Sequence, residues 1–291
     1  MKADDIKKVC VVGAGNMGHQ ISLQTAICGY KVSCVDVDEE QLKKAQQFVE
    51  KYLPGRVSKG KMTEEQAEQA NNNLEFTSDL QKGAKDADFV IEAATEKLDL
   101  KRKLFKQFDE IAPSHAVLAT NSSFLVSSLV ADYTSRPDQV CNMHFFNPAL
   151  VMKCVEVVQG PHTSDETAEV TMELARRINK VPVRLHKEVY GFLVNRIMAA
   201  INQEALFLLD TGVASAEDID SAVVNALGHP MGPFRLLDLT GVDLAYHINM
   251  ERYQESFDPA DKPSPTVVEK YVKGEWGEKT GKGFYDYSDK K

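Results

Sequence analysis

The amino-acid sequence predicts an α/β chain whose last third is helical throughout. Three observations carry this. A short apolar strand runs into a glycine-rich turn near the N-terminus, apolar strands then alternate with helical periodicity as far as Leu185, and helical patterning is unbroken from Gly191. The chain has 291 residues, 43% of them hydrophobic, enough for a sizeable core in one large or two ordinary domains. The boundary is expected near Lys187, dividing the chain into residues 1–187 and 188–291.

Lys8 to Val12 forms the first strand and ends in Gly13-Ala14-Gly15-Asn16-Met17-Gly18, after which apolar residues continue at helical spacing toward Gly29. The first glycine permits the tight turn, the second lets a pyrophosphate approach the backbone, and the third allows helix and strand to pack closely. A second strand, Lys31 to Val35, ends in Asp36, 18 residues past the last glycine, where an acid meets an adenosine ribose and favours NAD over NADP. Loop, strand and acid together predict a Rossmann-type dinucleotide-binding domain.

Glu39 to Leu53 reads as a helix stopped by Pro54-Gly55, and Thr63-Glu64-Glu65-Gln66 has the capping-box pattern that starts another. The two form a helical hairpin inserted before the third strand. Between Lys43 and Lys61 six cations (Lys43, Lys44, Lys51, Arg56, Lys59, Lys61) face one acid, Glu50, a run that suits a polyphosphate and equally an ordinary solvated face. Leu74 to Thr77 and Ala87 to Ala93 are the next strands. Glu92 and Glu96 near the carboxyl end of the latter are placed to line a ligand cleft. In the following helix, Leu98 to Ile111, Lys101 stands in the first turn, where the helix dipole disfavours a cation, so a partner such as Glu96 or a cofactor is expected. Ala116 to Thr120 is a further strand, ending in Asn121-Ser122-Ser123.

Val140 to Phe146 and Cys154 to Val158 flank a turn at Asn147-Pro148, so an antiparallel return would set His144 beside Glu156. A carboxylate on one ring nitrogen fixes the tautomer and raises the basicity of the other, an arrangement suited to proton transfer. Asp165 to Lys180 reads as a helix and Val181 to Leu185 as the last strand. Gly191 to Asp210 is long and apolar on most faces, hence expected to be buried, with Gly212 as its stop and Ser215 capping the next helix.

The 34 basic and 43 acidic residues leave a net charge of −9, which argues against nucleic acid as the main partner. Five cysteines, none in a C-x-x-C pair or with zinc spacing, read as buried thiols in a reducing compartment, and no metal is expected. No apolar run approaches the roughly 18 residues of a membrane span, so the expectation is a soluble, cytoplasmic chain.

The glycine loop, Asp36, Ile91-Glu92-Ala93 with Glu96, Asn121-Ser122-Ser123, and above all His144-Phe145-Phe146-Asn147-Pro148 through Val155-Glu156-Val157, resemble the short-chain L-3-hydroxyacyl-CoA dehydrogenase family, on the side of the 3-hydroxybutyryl-CoA dehydrogenases. The likeness extends through Gly191-Phe192-Leu193-Val194-Asn195-Arg196, Gly228 to Phe234 and Lys279 to Tyr285, covering essentially the whole chain. It implies NAD-dependent oxidation of an (S)-3-hydroxyacyl-CoA, with His144 as base, Glu156 holding it, and Ser123 and Asn195 bonding the reacting oxygen. Gly13, Gly15, Asn16, Met17 and Gly18 would cradle the cofactor phosphates, Asp36 the ribose, and Glu96, Lys101 and Asn121 the nicotinamide side. Lys59 and Lys61 would meet the CoA phosphates, and the C-terminal domain would make a homodimer. Two positions depart from the family pattern: Phe124 replaces a hydroxyl residue and Tyr190 a proline. A dehydrogenase of free 3-hydroxy acids would place a lysine where Asn195 stands, and an inactive binding homologue would have lost base, acid or glycine loop. None of these is lost.

Overall fold

The computed structural model describes residues 2–290 and divides into two compact units, one through Leu193 and one from Val194 onward. The first is built on an eight-stranded sheet in the order β3-β2-β1-β4-β5-β6-β7-β8. Strands β1 (Lys8–Val12), β2 (Lys31–Val35), β3 (Leu74–Thr77), β4 (Phe89–Glu92), β5 (Val117–Thr120) and β6 (Val140–Phe145) are mutually parallel. Strand β7 (Cys154–Val158) runs antiparallel to β6, and β8 (Val181–Leu185) runs parallel to β7. The order reverses between β1 and β4, so the carboxyl ends of these strands open a crevice beside the glycine loop.

Alternate residues of each strand feed opposite faces, which explains the near-continuous apolar runs. Val9, Val11, Ile91 and Ala119 pack with Ile21 and Ala26 of α1 (Asn16–Ile27) and Val170 and Leu174 of α7 (Asp165–Arg177). Cys10, Val12, Val90 and Leu118 pack on the other face with Ala84 of α4 (Leu80–Ala84), Phe105 and Phe108 of α5 (Leu98–Ile111) and Val130 of α6 (Ser128–Ala131). Phe105 and Phe108 are fully buried, each worth about 1.5–3 kcal/mol on burial.

The inserted hairpin is α2 (Glu39–Ser58) and α3 (Glu64–Asn72), which close a small core of Leu23, Val49, Leu53 and Ala70. The capping box at Thr63 forms: Gln66 N donates to Thr63 Oγ1 at 3.2 Å and Thr63 N to Gln66 Oε1 at 2.9 Å. The stop expected at Pro54-Gly55 is not observed, because α2 continues through Pro54 to Ser58. Pro54 and Glu50, whose carbonyl loses its helical donor, are both exposed residues, where the loss of one intrahelical bond is tolerated.

The second unit packs α8 (Val194–Asp210), α9 (Ala216–Leu227), α10 (Pro233–Thr240), α11 (Val242–Ser256) and α12 (Pro265–Lys273). Its core joins Leu206, Ile219, Phe234, Leu237, Val242 and Val267. Buried Asp238 ties down the C-terminal segment by accepting from Phe284 N, Tyr285 N and the Tyr287 hydroxyl. The long helix starts at Val194, not Gly191, since Gly191 and Phe192 adopt φ of 73° and 48°, outside the helical region. Nor is it buried as its apolar pattern suggested. Only Ala205 and Leu206 are buried, while Ile197 is 54% and Phe207 56% exposed. A helix can be apolar on more faces than its own chain covers.

Candidate active site

At the carboxyl edge of the sheet the glycine loop joins β1 to α1. Gly13 has φ of 112°, and a Cβ there would stand 2.5 Å from the Ala93 carbonyl oxygen. A Cβ on Gly18 would come within 1.6 Å of the Gly13 carbonyl oxygen. Gly15, by contrast, has nothing within 4 Å of the Cβ position. The loop therefore presents bare backbone to open space at a helix N-terminus, which fits a dinucleotide's phosphates. Asp36 lies beyond β2 with one oxygen accepting from Ala14 N (2.7 Å) and the other from Asp38 N (2.9 Å). Loop and acid are thus one hydrogen-bonded unit. Asn16 is exposed in the first turn of α1, its amide donating to Asn147 Oδ1 at 2.9 Å, and Met17 is half-buried beside it.

The β6–β7 return pairs His144 with Glu156 in register. His144 Nδ1 lies 2.8 Å from Glu156 Oε2, and Nε2 lies 3.1 Å from Ser123 Oγ. A carboxylate only accepts, so Nδ1 carries the proton and Nε2 is left as the acceptor of the Ser123 hydroxyl. His144 is 3% exposed and Glu156 fully buried. The other Glu156 oxygen accepts from Leu193 N at 3.0 Å. The rings of Phe146 and Phe192 stand 4.6 and 5.5 Å from the imidazole, which confines it to one orientation.

Between loop and dyad, the ends of β4 and β5 carry a polar network. Lys101, 1% exposed, donates to both oxygens of Glu92 at 2.8 Å and lies 3.3 Å from Glu96. Glu92 also accepts from the Thr120 hydroxyl (2.6 Å) and Ala94 N (2.7 Å). The expectation that Glu92 lines the cleft is corrected: it is fully buried, and a buried charge needs this complete set of partners. Glu96 remains about half exposed and accepts from the Ser122 hydroxyl (2.8 Å) and Ser123 N (3.1 Å). Asn121, nearly buried, accepts from Phe145 N at 2.9 Å, joining the ends of β5 and β6.

Gly13, Gly15, Gly18, Asp36, Glu96, Lys101, Asn121, Ser123, His144 and Glu156 thus belong to the first unit and gather along one sheet edge. Asn195 lies in the first turn of α8, in the second unit. Lys59 and Lys61 are exposed at the end of α2 and just past it. Sequence reasoning missed Thr120, Phe192 and the Leu193 amide. Only the aromatic at 192, two residues past Tyr190, left any trace, since no pattern tells which backbone amide will meet a distant carboxylate.

Burial raises the thiols of Cys34 and Cys141 to about 12 and also raises Cys154, whose neighbour Glu156 adds to the effect. None is a nucleophile at neutral pH. Among the described residues no cluster of His, Cys, Asp and Glu is arranged to hold a metal ion.

The description "3-hydroxyacyl-CoA dehydrogenase, NAD binding domain" matches residues 8–189, and "3-hydroxyacyl-CoA dehydrogenase, C-terminal domain" matches residues 191–287. A probable 3-hydroxybutyryl-CoA dehydrogenase of Bacillus subtilis is 38% identical over 287 residues, covering 98% of this chain and 99% of that one. The mitochondrial hydroxyacyl-coenzyme A dehydrogenase of Homo sapiens is 36% identical, covering 97% and 91%. The crystal structure of (S)-3-hydroxybutyryl-CoA dehydrogenase from Ralstonia eutropha superposes with a TM-score of 0.89 at 36% identity, covering 97% of this chain and 99% of that one. With both of its units matched and its glycine loop shaped for a dinucleotide, the chain belongs to the NAD-dependent 3-hydroxyacyl-CoA dehydrogenase family.

Proposed function

We propose that the protein interconverts (S)-3-hydroxybutyryl-CoA and acetoacetyl-CoA. The observation that carries the reading is the Glu156–His144–Ser123 chain of hydrogen bonds beside the glycine loop. When bound, NAD supplies the hydride acceptor at C4 of its nicotinamide. His144 Nε2 takes the hydroxyl proton of the substrate as its carbon is oxidised, and Glu156 holds Nδ1–H and stabilises the imidazolium that forms. Ser123 and Asn195 donate to the oxygen that becomes the carbonyl.

Gly13, Gly15, Gly18, Asn16 and Met17 hold the phosphates at the N-terminus of α1, and Asp36 accepts from the ribose hydroxyls. Glu96 and Asn121 face the nicotinamide side, where Lys101 acts by holding Glu96 rather than by direct contact, its donors being taken up inside the protein. Lys59 and Lys61 meet the CoA phosphates. The relatives' names, which specify hydroxyacyl- or 3-hydroxybutyryl-CoA, support the thioester over a free acid.

Acetoacetyl-CoA with NADH is expected to give fast NADH oxidation, free acetoacetate little, and NADPH a far lower kcat/KM, because the Asp36 carboxylate repels a 2′-phosphate. Equal efficiency with NADPH contradicts the Asp36 assignment, and equal rates on free acetoacetate contradict the CoA assignment.

The exposed apolar residues of the second unit, Ile197, Phe207, Val213, Leu227 and Leu239 among them, support a homodimer formed through it. Sedimentation at micromolar concentration is expected to give a dimer, and a monomer at that concentration contradicts the interface. No helix among the described residues is long and apolar enough to cross a membrane, and the five free cysteines suit a reducing compartment, in keeping with a cytoplasmic location.

A further inference from the structure

The loop from Asn121 to Ser127 carries Ser123 across the top of β6, and its placement relative to His144 decides whether the hydroxyl meets Nε2. On its Ser122 side the loop is held by Glu96, through the Ser122 hydroxyl and Ser123 N. That hold is half exposed, and Glu96 belongs to the cofactor side in the reading above. A carboxylate turning to a ligand gives up these two bonds.

The far side of the loop is held from inside the protein. Asn142 is fully buried on β6, two residues before His144, so the two side chains leave the strand on the same face. Asn142 Oδ1 accepts from Ser127 N at 2.8 Å, and its Nδ2 donates to the Leu125 carbonyl at 2.9 Å. The fit is specific to a carboxamide. A loop offering a carbonyl and, two residues on, an N–H requires one donor and one acceptor on a short side chain; a carboxylate lacks the donor and an aliphatic residue lacks both. Ser127, also fully buried, donates its hydroxyl to Glu188 Oε1 at 2.9 Å, and Ser128 N donates to the same oxygen at 2.9 Å. One strand therefore touches the loop at four points: Asn121 through Phe145 N, Ser123 through His144, and Leu125 and Ser127 through Asn142.

We propose that Asn142 is a positioning residue that sets the Ser123 hydroxyl against His144 Nε2, with Glu188 as the second hold on the same loop. The proposal rests on the dehydrogenase reading, in which Ser123 contacts the reacting oxygen. Asn142 itself touches no substrate atom and acts through Ser123. An error of about 1 Å in such a group costs on the order of a hundredfold in rate.

The test is a double-mutant cycle on acetoacetyl-CoA reduction by NADH, using wild type, Asn142→Leu, Ser123→Ala and the double variant. Asn142→Leu is expected to lower kcat about 10- to 100-fold, with KM for NADH within about twofold of wild type. The double variant is expected to be no slower than the slower single variant, since a residue acting through Ser123 has nothing to position once that hydroxyl is gone. A near-normal kcat in Asn142→Leu, or losses that multiply in the double variant, overturns the proposal, because a general loss of structure compounds with the loss of Ser123. Near-ultraviolet circular dichroism reports whether Asn142→Leu folds. If it does not, the cycle is run with Glu188→Ala, whose loss must likewise vanish in the Ser123→Ala background and be restored by Glu188→Gln, which keeps the acceptor. A wild-type protein inactive on acetoacetyl-CoA defeats the dehydrogenase reading and this proposal together, whereas an active wild type with an indifferent Asn142→Leu defeats this proposal alone.

Discussion

Replacing His144 by glutamine lowers turnover with acetoacetyl-CoA by roughly two to four powers of ten. Glutamine can keep a hydrogen bond to Glu156 or to Ser123, so the pocket stays filled, but a carboxamide does not take up a proton at neutral pH. The loss falls on the chemical step. NADH binding is expected to persist, because the glycine loop and Asp36 are held by their own hydrogen bonds and none of these involves His144. Steady-state turnover together with an NADH fluorescence titration separates the two. A variant within a few-fold of wild-type turnover removes His144 from the role of base.

Replacing Glu156 by glutamine is expected to cost on the order of a hundredfold in kcat by a different route. One carboxylate oxygen accepts from His144 Nδ1–H and the other from Leu193 N. Glutamine offers one acceptor and one NH2. If the NH2 faces Leu193, two donors collide at a buried site. If it faces His144, Nδ1 must become the acceptor, the proton moves to Nε2, and the ring presents a donor where a base is required. The imidazolium formed during oxidation also loses its counter-charge. Near-ultraviolet circular dichroism beside kcat distinguishes this from simple destabilisation, since a folded variant with a lowered kcat has lost the hold on His144 and not its fold. A near-normal kcat in the folded variant argues that Glu156 serves packing alone.

Much of the first unit was legible in the sequence because its signals are local. Gly18 answers a constraint set by Gly13, five positions away, and Asp36 follows its strand at a spacing fixed by one helix and one turn. His144 and Glu156 were also within reach, since a turn at Asn147-Pro148 between two strands sets their register directly. The string around them made the family recognisable, and the match over both units agrees with it.

What the tertiary structure alone decided are contacts between residues far apart in the chain. Glu92 and Lys101 looked like cleft residues, yet two buried charges required each other and turned inward. Leu193 N and the Phe192 ring close on the dyad from more than thirty positions away. Pro54 and Gly55 carry the local signature of a helix stop, and α2 runs through them with Pro54 on an exposed face, where the loss of one intrahelical bond is tolerated. The apolar pattern of α8 said that its faces would be covered, without saying by what. Periodicity records how much of a helix is apolar; which of its faces are covered is set by the tertiary arrangement around it.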